Sequence, residues 1–356
     1  MRAMIRPFSE ELSMPTPLRL GIVGAANIAR QFCTGVAGSP DIAVVAVASR
    51  SGEKGAAFAH ACGIPRHHAS YEALLADPEI EAVYNPLPND MHKMWTIRAL
   101  QAGKHVLCEK PLCMSGDDAR EMYDAARAAG RHLVEAYPYM SQPQTLRTRE
   151  ILAAGELGRV QVVTASFGFG IATPDGEPAA DPRNIRLLPE RGGGALYDAG
   201  TYAVSFVRLV AGARPRRVLA TGRFTRAGVD QTVAATLEFP SGLIGQITTS
   251  LSTSFHRHAV VIGESGVLET GYSNHAPAGT LTLRVKRGVP NTVPFAVEEI
   301  PGGDGFRLEA ESFTTLVRTG AGWTGASEAE SIDTALALEA IATSLRAGGT
   351  WIDIPT

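Results

Sequence analysis

Leu18-Arg19-Leu20-Gly21-Ile22-Val23-Gly24-Ala25-Ala26-Asn27-Ile28-Ala29 is the stretch from which the fold of this chain can be read. A short apolar run stops at Gly24, a few small residues follow, and helix-like spacing runs over residues 27–36. The same unit recurs. Valine-rich residues 42–48 precede an alanine-rich helical stretch at 53–62, and a short helix follows at 71–76. A strand at 80–84 leads into a helix at 91–102 stopped by Gly103, and a strand at 105–108 into a helix at 116–129 ended by Gly130. Residues 132–136 close the series. Repeated strand–helix units of this length predict a parallel sheet covered on both faces. Right-handed crossovers then make it doubly wound.

Beyond Tyr137 the pattern changes. A helix is predicted over 144–154, followed by alternating runs at 160–169, 217–224, 231–239, 243–251 and 258–262, punctuated by Gly242, Gly263 and Gly266. Strands in succession without intervening helices predict an antiparallel sheet. Late helices fall at 308–318 and 329–346, and a Gly/Pro-rich loop spans 173–194. The expected organisation is an arm (1–17), an N-terminal α/β domain with a doubly wound parallel sheet (18–140), and a C-terminal α+β domain with a large, mainly antiparallel open sheet (141–356).

The chain is long enough for two domains, at 356 residues. Its net charge of -3 gives no electrostatic reason to expect nucleic acid or an anionic membrane as partner. No apolar run approaches the roughly 20 residues needed to span a bilayer. The first 17 residues lack the apolar centre of a signal peptide and read as a loose arm, with Met1 or Met14 as the start. Cys33, Cys62, Cys108 and Cys113 lack zinc-like spacing and read as buried, reduced thiols of a cytoplasmic protein, with no metal site expected.

The turn after the first strand is a degenerate dinucleotide fingerprint. Gly24 supplies the tight turn, Ala26 stands at the second glycine position and Ala29 at the third. Ala25, Asn27 and Ile28 complete the turn, whose helix amides would hold phosphates. The second strand ends at Ser49-Arg50, where NAD enzymes place an acid for the ribose hydroxyl. A hydroxyl and a guanidinium there favour the 2′-phosphate of NADP, with NAD as the alternative. In the loop after the third strand, Pro88, Asn89 and His92 are candidates to contact the nicotinamide half; the plainer reading of Asn89 is a helix cap.

Chemistry is concentrated in two segments. Glu109-Lys110-Pro111 ends a buried strand, so that Lys110 points toward the same crevice and could donate a hydrogen bond to a substrate oxygen. In Gly192-Gly193-Gly194-Ala195-Leu196-Tyr197-Asp198-Ala199-Gly200-Thr201-Tyr202, a glycine run feeds a helix carrying Asp198 and Tyr202 one turn apart. An acid and a phenol beside a lysine can handle the proton that an alcohol carbon must lose when its hydride departs. Asn184 and Arg186, just upstream, could hydrogen-bond a polyol, or could belong to an ordinary surface loop.

Taken together and in this order, Glu109-Lys110-Pro111, Pro88-Asn89-x-x-His92 and Asp198-x-Gly200-x-Tyr202 resemble the motifs of the Gfo/Idh/MocA family of oxidoreductases, over nearly the whole chain from Leu18. The resemblance implies a Rossmann domain binding NAD(P), with Glu109 and Lys110 among its cofactor contacts. It also implies a cis Lys110-Pro111 bond and an open sheet through which dimers or tetramers form. Lys110 would hold the reacting oxygen. Tyr202, where many members carry histidine, would be the acid/base. The implied activity is hydride transfer between NADP and a hydroxyl or carbonyl carbon of a monosaccharide or cyclic polyol. The alternatives are a non-catalytic regulator of the same fold and a sugar–sugar oxidoreductase with tightly held NADP. Met140 and Gln142 depart from the family's usual arginine and histidine, at positions expected to neighbour the substrate cleft.

Overall fold

The computed structural model describes residues 16–179, 181–272 and 279–355. Most of the arm (residues 1–15), with both candidate start sites, lies outside them. The first strands and helices alternate as β1 (Leu18–Val23), α1 (Asn27–Val36), β2 (Ile42–Ala48), α2 (Gly52–Cys62), β3 (Arg66–His68) and α3 (Tyr71–Leu75). They continue with β4 (Ala82–Asn85), α4 (Asn89–Gln101), β5 (His105–Glu109), α5 (Gly116–Ala129) and β6 (Leu133–Ala136). Among the described residues the strands form a six-stranded sheet in the order β3-β2-β1-β4-β5-β6, every neighbouring pair parallel. Side chains alternate across it, so Leu20 and Ile22 pack with Phe32 on one face while Val83 and Val106 pack with Leu100 on the other. The strand order reverses at β1, between β2 and β4. That is the point in such sheets where the carboxyl ends open a ligand crevice.

The second unit begins with a 3₁₀ turn (Pro138–Ser141) and α6 (Pro143–Ala153). It continues with β7 (Val160–Gly170), α7 (Thr201–Ala211), β8 (Arg217–Phe224), β9 (Asp230–Glu238), β10 (Ile244–Ser250), β11 (Ser252–Gly263) and β12 (Gly266–Thr270). It ends with β13 (Thr280–Arg287), β14 (Ala296–Pro301), α8 (Gly305–Thr319), α9 (Glu328–Arg346) and β15 (Ile352–Asp353). The described strands make a nine-stranded sheet, β14-β13-β12-β11-β7-β10-β9-β8-β15, antiparallel except for the β7–β10 pair. One face is sealed by α7 and α9 through Val204, Phe206, Ala337 and Ile341. The short strand β3, the edge strand β14 and its neighbour β13 escape the sequence pattern. Their side chains are largely exposed, so hydrophobic alternation is weak. Strand β11 starts six residues earlier than its apolar run (252 against 258), because an irregularity between Ser252 and His256 breaks the alternation.

The two units are interlocked. Helix α8 lies far along the chain, yet Phe306, Ala310 and Phe313 sit in the core of the parallel-sheet unit, with Phe306 edge-on to Phe32 at 5.9 Å. Asp304 caps α8 by accepting from the amides of Phe306 and Arg307 at 3.0 and 3.2 Å. Helix α9 starts in a capping box at Ser327 and Glu330, and it places Leu336 against Gly116 at the start of α5. A cut at 140/141 therefore separates sequence stretches but not cores.

Two of the cysteines depart from expectation: Cys108 and Cys113 are buried, but Cys33 and Cys62 are only half-buried. No described helix is long and apolar enough to cross a membrane.

Phe313 is fully buried in the core of the other unit. Phe313→Ala is expected to cost about 3–5 kcal/mol and to lower both units together in a single denaturant transition followed by fluorescence and circular dichroism. Two separated transitions would refute the interlock.

Candidate active site

A cleft of about 450 Å³ opens at the carboxyl ends of β1, β4 and β5 and is closed on its far side by β7, β11 and the segment before α7. Just after β1, the Gly24 amide donates to the Ala48 carbonyl at 2.9 Å and its φ is +110°. A Cβ there would lie 2.9 Å from Leu87, so only glycine fits this turn. Helix α1 follows with Ala26 at its cap, making no side-chain bond. The first amides of the helix are thus left to a ligand, and a dinucleotide's phosphates fit that cradle. Ile28 and Gln31 line the cleft from this helix.

At the end of β2, Ser49 is buried and its hydroxyl accepts from the Ser51 amide at 3.3 Å, while Arg50 is exposed. Ser51 caps α2. Ser49 therefore shapes the turn, and Arg50 is the group free to reach outward.

The loop after β4 differs from its sequence reading. Pro88, not Asn89, is the cap of α4, with no side-chain bond. Asn89 instead donates across the cleft to the Gly192 carbonyl at 2.9 Å, tying the two units together. His92 is fully buried, with Nδ1 2.8 Å from the Pro111 carbonyl and Nε2 2.6 Å from that of Leu87. Burial pulls its pKa down against the pull of those carbonyls. Its ring lines the cleft, and its nitrogens hold the two loops together.

Lys110 stands where β5 ends, and the Lys110-Pro111 bond is cis. Its Nζ donates to the Asp198 carbonyl oxygen at 3.0 Å and to Asp198 Oδ1 at 3.1 Å, and lies 5.0 Å from the centroid of the Tyr202 ring. Glu109 points inward. It accepts from the Tyr84 hydroxyl at 2.6 Å and from the Lys110 amide at 3.2 Å, and burial raises its pKa.

Asp198 sits in a π-helical turn, Leu196–Gly200, that opens α7. Such turns are frequent at functional sites and change the angular spacing of side chains, so simple i,i+4 geometry does not hold here. The turn is anchored by Asp230, which accepts from the Leu196 amide at 2.6 Å. Gly194 makes room for that carboxylate, since its φ is +120° and a Cβ would lie 2.1 Å from Asp230 Oδ1. Asp198 Oδ2 also accepts from Arg186 Nε at 2.7 Å. Burial works to raise the pKa of Asp198, but Lys110 and Arg186 overcome it and hold the carboxyl at about 2.

Arg186 therefore joins the site. Asn184 does not, because its side chain accepts from the Arg186 amide at 3.1 Å and caps a 3₁₀ turn. Met140 and Gln142 do not line the cleft either. Met140 is core, and Gln142 bonds the backbone of Gly303, donating to its carbonyl at 2.7 Å. The sequence reading missed the far wall: Phe167 and Phe169 on β7, Phe255 and Arg257 on β11, and Arg191. Phe167 and Phe169 were signalled by their period-two spacing, but nothing local to β11 pointed to the cleft.

Asp198 contributes stability that is present above its ordinary pKa near 3.8 and is lost as pH falls through about 2. Asp198→Asn is expected to lower unfolding free energy at pH 7 by about 2–3 kcal/mol. The difference from wild type should shrink steadily between pH 4 and pH 2 in urea titrations. A constant difference would refute the pairing.

Residues 18–137 match the model of the oxidoreductase family with an NAD-binding Rossmann fold, and residues 145–269 match the Gfo/Idh/MocA C-terminal domain. D-xylose 1-dehydrogenase (NADP(+)) 2 of Haloferax volcanii is 38% identical over 85% of this chain and 90% of its own. Trans-1,2-dihydrobenzene-1,2-diol dehydrogenase of Mus musculus is 37% identical over 71% of this chain and 74% of its own. Among solved structures, KijD10, a 3-ketoreductase of Actinomadura kijaniata in complex with NADP and TDP-benzene, superposes with a TM-score of 0.78 at 28% identity, covering 93% of this chain and 98% of that one. With the crevice, the Glu109-Lys110-Pro111 strand end and these relatives in agreement, the chain belongs to the Gfo/Idh/MocA family of oxidoreductases.

Proposed function

We propose that this protein is an NADP-preferring dehydrogenase acting on a CH–OH group of a monosaccharide or related cyclic polyol, or on the matching carbonyl. The observation that carries the reading is the placement of Lys110. Two of its three N–H donors are directed at Asp198, which leaves one for a substrate oxygen in the cleft. The nicotinamide supplies the hydride acceptor or donor when bound. Lys110 orients and polarises the reacting oxygen, and its charge favours the alkoxide that develops there. Tyr202, whose ring lies under that ammonium, passes the proton to or from the oxygen. Asp198 does not touch the reacting carbon in this reading. It holds Lys110 aimed, with Arg186 on its other oxygen. The names of the xylose and dihydrodiol dehydrogenase relatives support a cyclic hydroxyl-bearing substrate.

The NADP preference rests on Arg50, exposed at the end of β2, with no acid beside it at the Ser49-Arg50-Ser51 turn. The uncovered face of the nine-stranded sheet, with Gln246, Thr248 and His258 exposed, supports assembly of copies into a dimer or tetramer, which light scattering would read. The compartment that suits the reduced thiols is the cytoplasm.

A panel of sugars and dihydrodiols with NADP and NAD, read by nicotinamide absorbance, tests the activity. Lys110→Ala and Tyr202→Phe are each expected to lower kcat about 10²–10⁴-fold with cofactor binding retained. Wild-type turnover in both variants would sink the mechanism. Arg50→Ala is expected to raise KM for NADP at least about 10-fold while KM for NAD stays within about twofold. An equal rise for both cofactors would mean that Arg50 does not read the 2′-phosphate.

A further inference from the structure

The charges of the cleft do not cancel. Lys110 and Arg186 share Asp198, and Arg191 pairs with Asp90 at 2.9 Å. Burial favours the neutral form of Glu109. Arg257 has no carboxylate partner among the described residues. A half-buried guanidinium without a counter-charge is costly, and that cost falls when a ligand supplies the charge.

The setting of Arg257 is built rather than incidental. Its Nε donates to the Gly271 carbonyl at 3.1 Å, which fixes the plane of the guanidinium. The group lies between two rings, 5.4 Å from the centroid of Phe167 and 5.8 Å from that of Tyr272. Tyr272 adopts a left-handed φ of +29°, unusual for a bulky residue, and is held there by its amide donating to Thr270 Oγ1 at 2.9 Å and its hydroxyl donating to the Ser166 carbonyl at 2.7 Å. The backbone therefore bears strain at the turn that presents the Gly271 carbonyl and the Tyr272 ring to Arg257. With Nε used, the two terminal nitrogens remain as a planar fork, the geometry that matches a carboxylate.

Beside the fork stands an apolar platform. Phe167 meets Tyr202 at 5.5 Å and Phe255 at 6.0 Å, and Phe255 is 70% exposed at the mouth of the cleft. Rings of this kind take the C–H face of a flat or puckered ring.

We infer that the substrate is a hydroxyl-bearing ring with a carboxylate, its carboxylate held by the Arg257 fork, its apolar face on Phe167 and Phe255, and a hydroxyl at Lys110. This rests on the oxidoreductase reading above and narrows its substrate class. The carboxylate takes no part in the chemistry: the carbinol C–H leaves as hydride to the oxidised nicotinamide, the O–H proton leaves through Tyr202, and a C=O forms.

Two sources carry this chemistry, a cyclic hexuronate and a dihydroxycyclohexadiene carboxylate. The experiment sets each acid against its neutral partner, hexose or unsubstituted dihydrodiol, with NADP. In at least one pair the acid is expected to have at least 10-fold higher kcat/KM, and which pair does so identifies the source. Arg257→Gln should lower the acid-to-neutral ratio of kcat/KM at least 30-fold, mainly through KM of the acid. Arg257→Lys, which keeps the charge but loses the fork, should fall between. Thermal melts of all three proteins check that they fold.

Turnover of the neutral member in preference to its acid in both pairs, or a ratio unmoved by Arg257→Gln, overturns the inference and leaves the oxidoreductase reading intact. If none of the four compounds nor the wider panel turns over, that reading fails. Acid-specific stabilisation of the NADP-loaded protein in a thermal shift, lost in Arg257→Gln, then supports the Arg257 assignment, and its absence overturns it.

Discussion

The Lys110–Asp198 ion pair joins the carboxyl end of a parallel strand in one unit to the first turn of a helix in the other. Neither partner is affordable alone. An ammonium at the floor of a cleft and a carboxylate inside a helix start would each lose hydration without compensation. Together, with Arg186 as a third member, they compensate one another, and the carboxyl is held near the bottom of its range. The position of Lys110 over the Tyr202 ring, the mouth of the cleft and the hydrogen bond from Asn89 to Gly192 all presuppose that this pair is closed.

Such a pair holds its geometry only if the units cannot shift. The chain meets that requirement by exchanging elements between cores. Helix α8 brings Phe306 and Phe313 back under β1 and α1, and α9 divides its apolar residues between the second sheet and α5. The crevice is thus a seam within one packed body rather than a gap between two hinged ones. Precision at the site follows from packing density, because close-packed interiors transmit small displacements rather than absorb them.

Much of the parallel-sheet unit was legible before any coordinates. Runs such as Ile42–Ala48 are apolar throughout because both faces of the sheet are covered, and Gly103 and Gly130 stop helices with a left-handed φ. Lys110, Asp198 and Tyr202 were visible as candidates because charged or phenolic groups at element ends near glycine turns are hard to place otherwise. Asn89 and His92 were visible as residues, and both line the cleft, but their bonds to Gly192 and Pro111 were not, since those partners lie outside a local window. Asn184, Met140 and Gln142 were misplaced for the same reason: a loop or strand end near the cleft in sequence need not turn its side chain into it.

From the sequence alone came the alternation of strands and helices in the first unit, the tight turn at Gly24, and the candidates for handling a proton, because periodicity, turn chemistry and residue type are local properties. The tertiary structure alone decided that Asp198 shares its carboxylate between Lys110 and Arg186, and that α8 completes a core begun some 270 residues earlier (Phe32 against Phe306). It alone set Arg257 between Phe167 and Tyr272 with no acid beside it among the described residues. These are contacts between stretches far apart in the chain. Their geometry depends on how layers pack and on where irregularities such as the π-turn and the β11 bulge fall, and no local window carries that information.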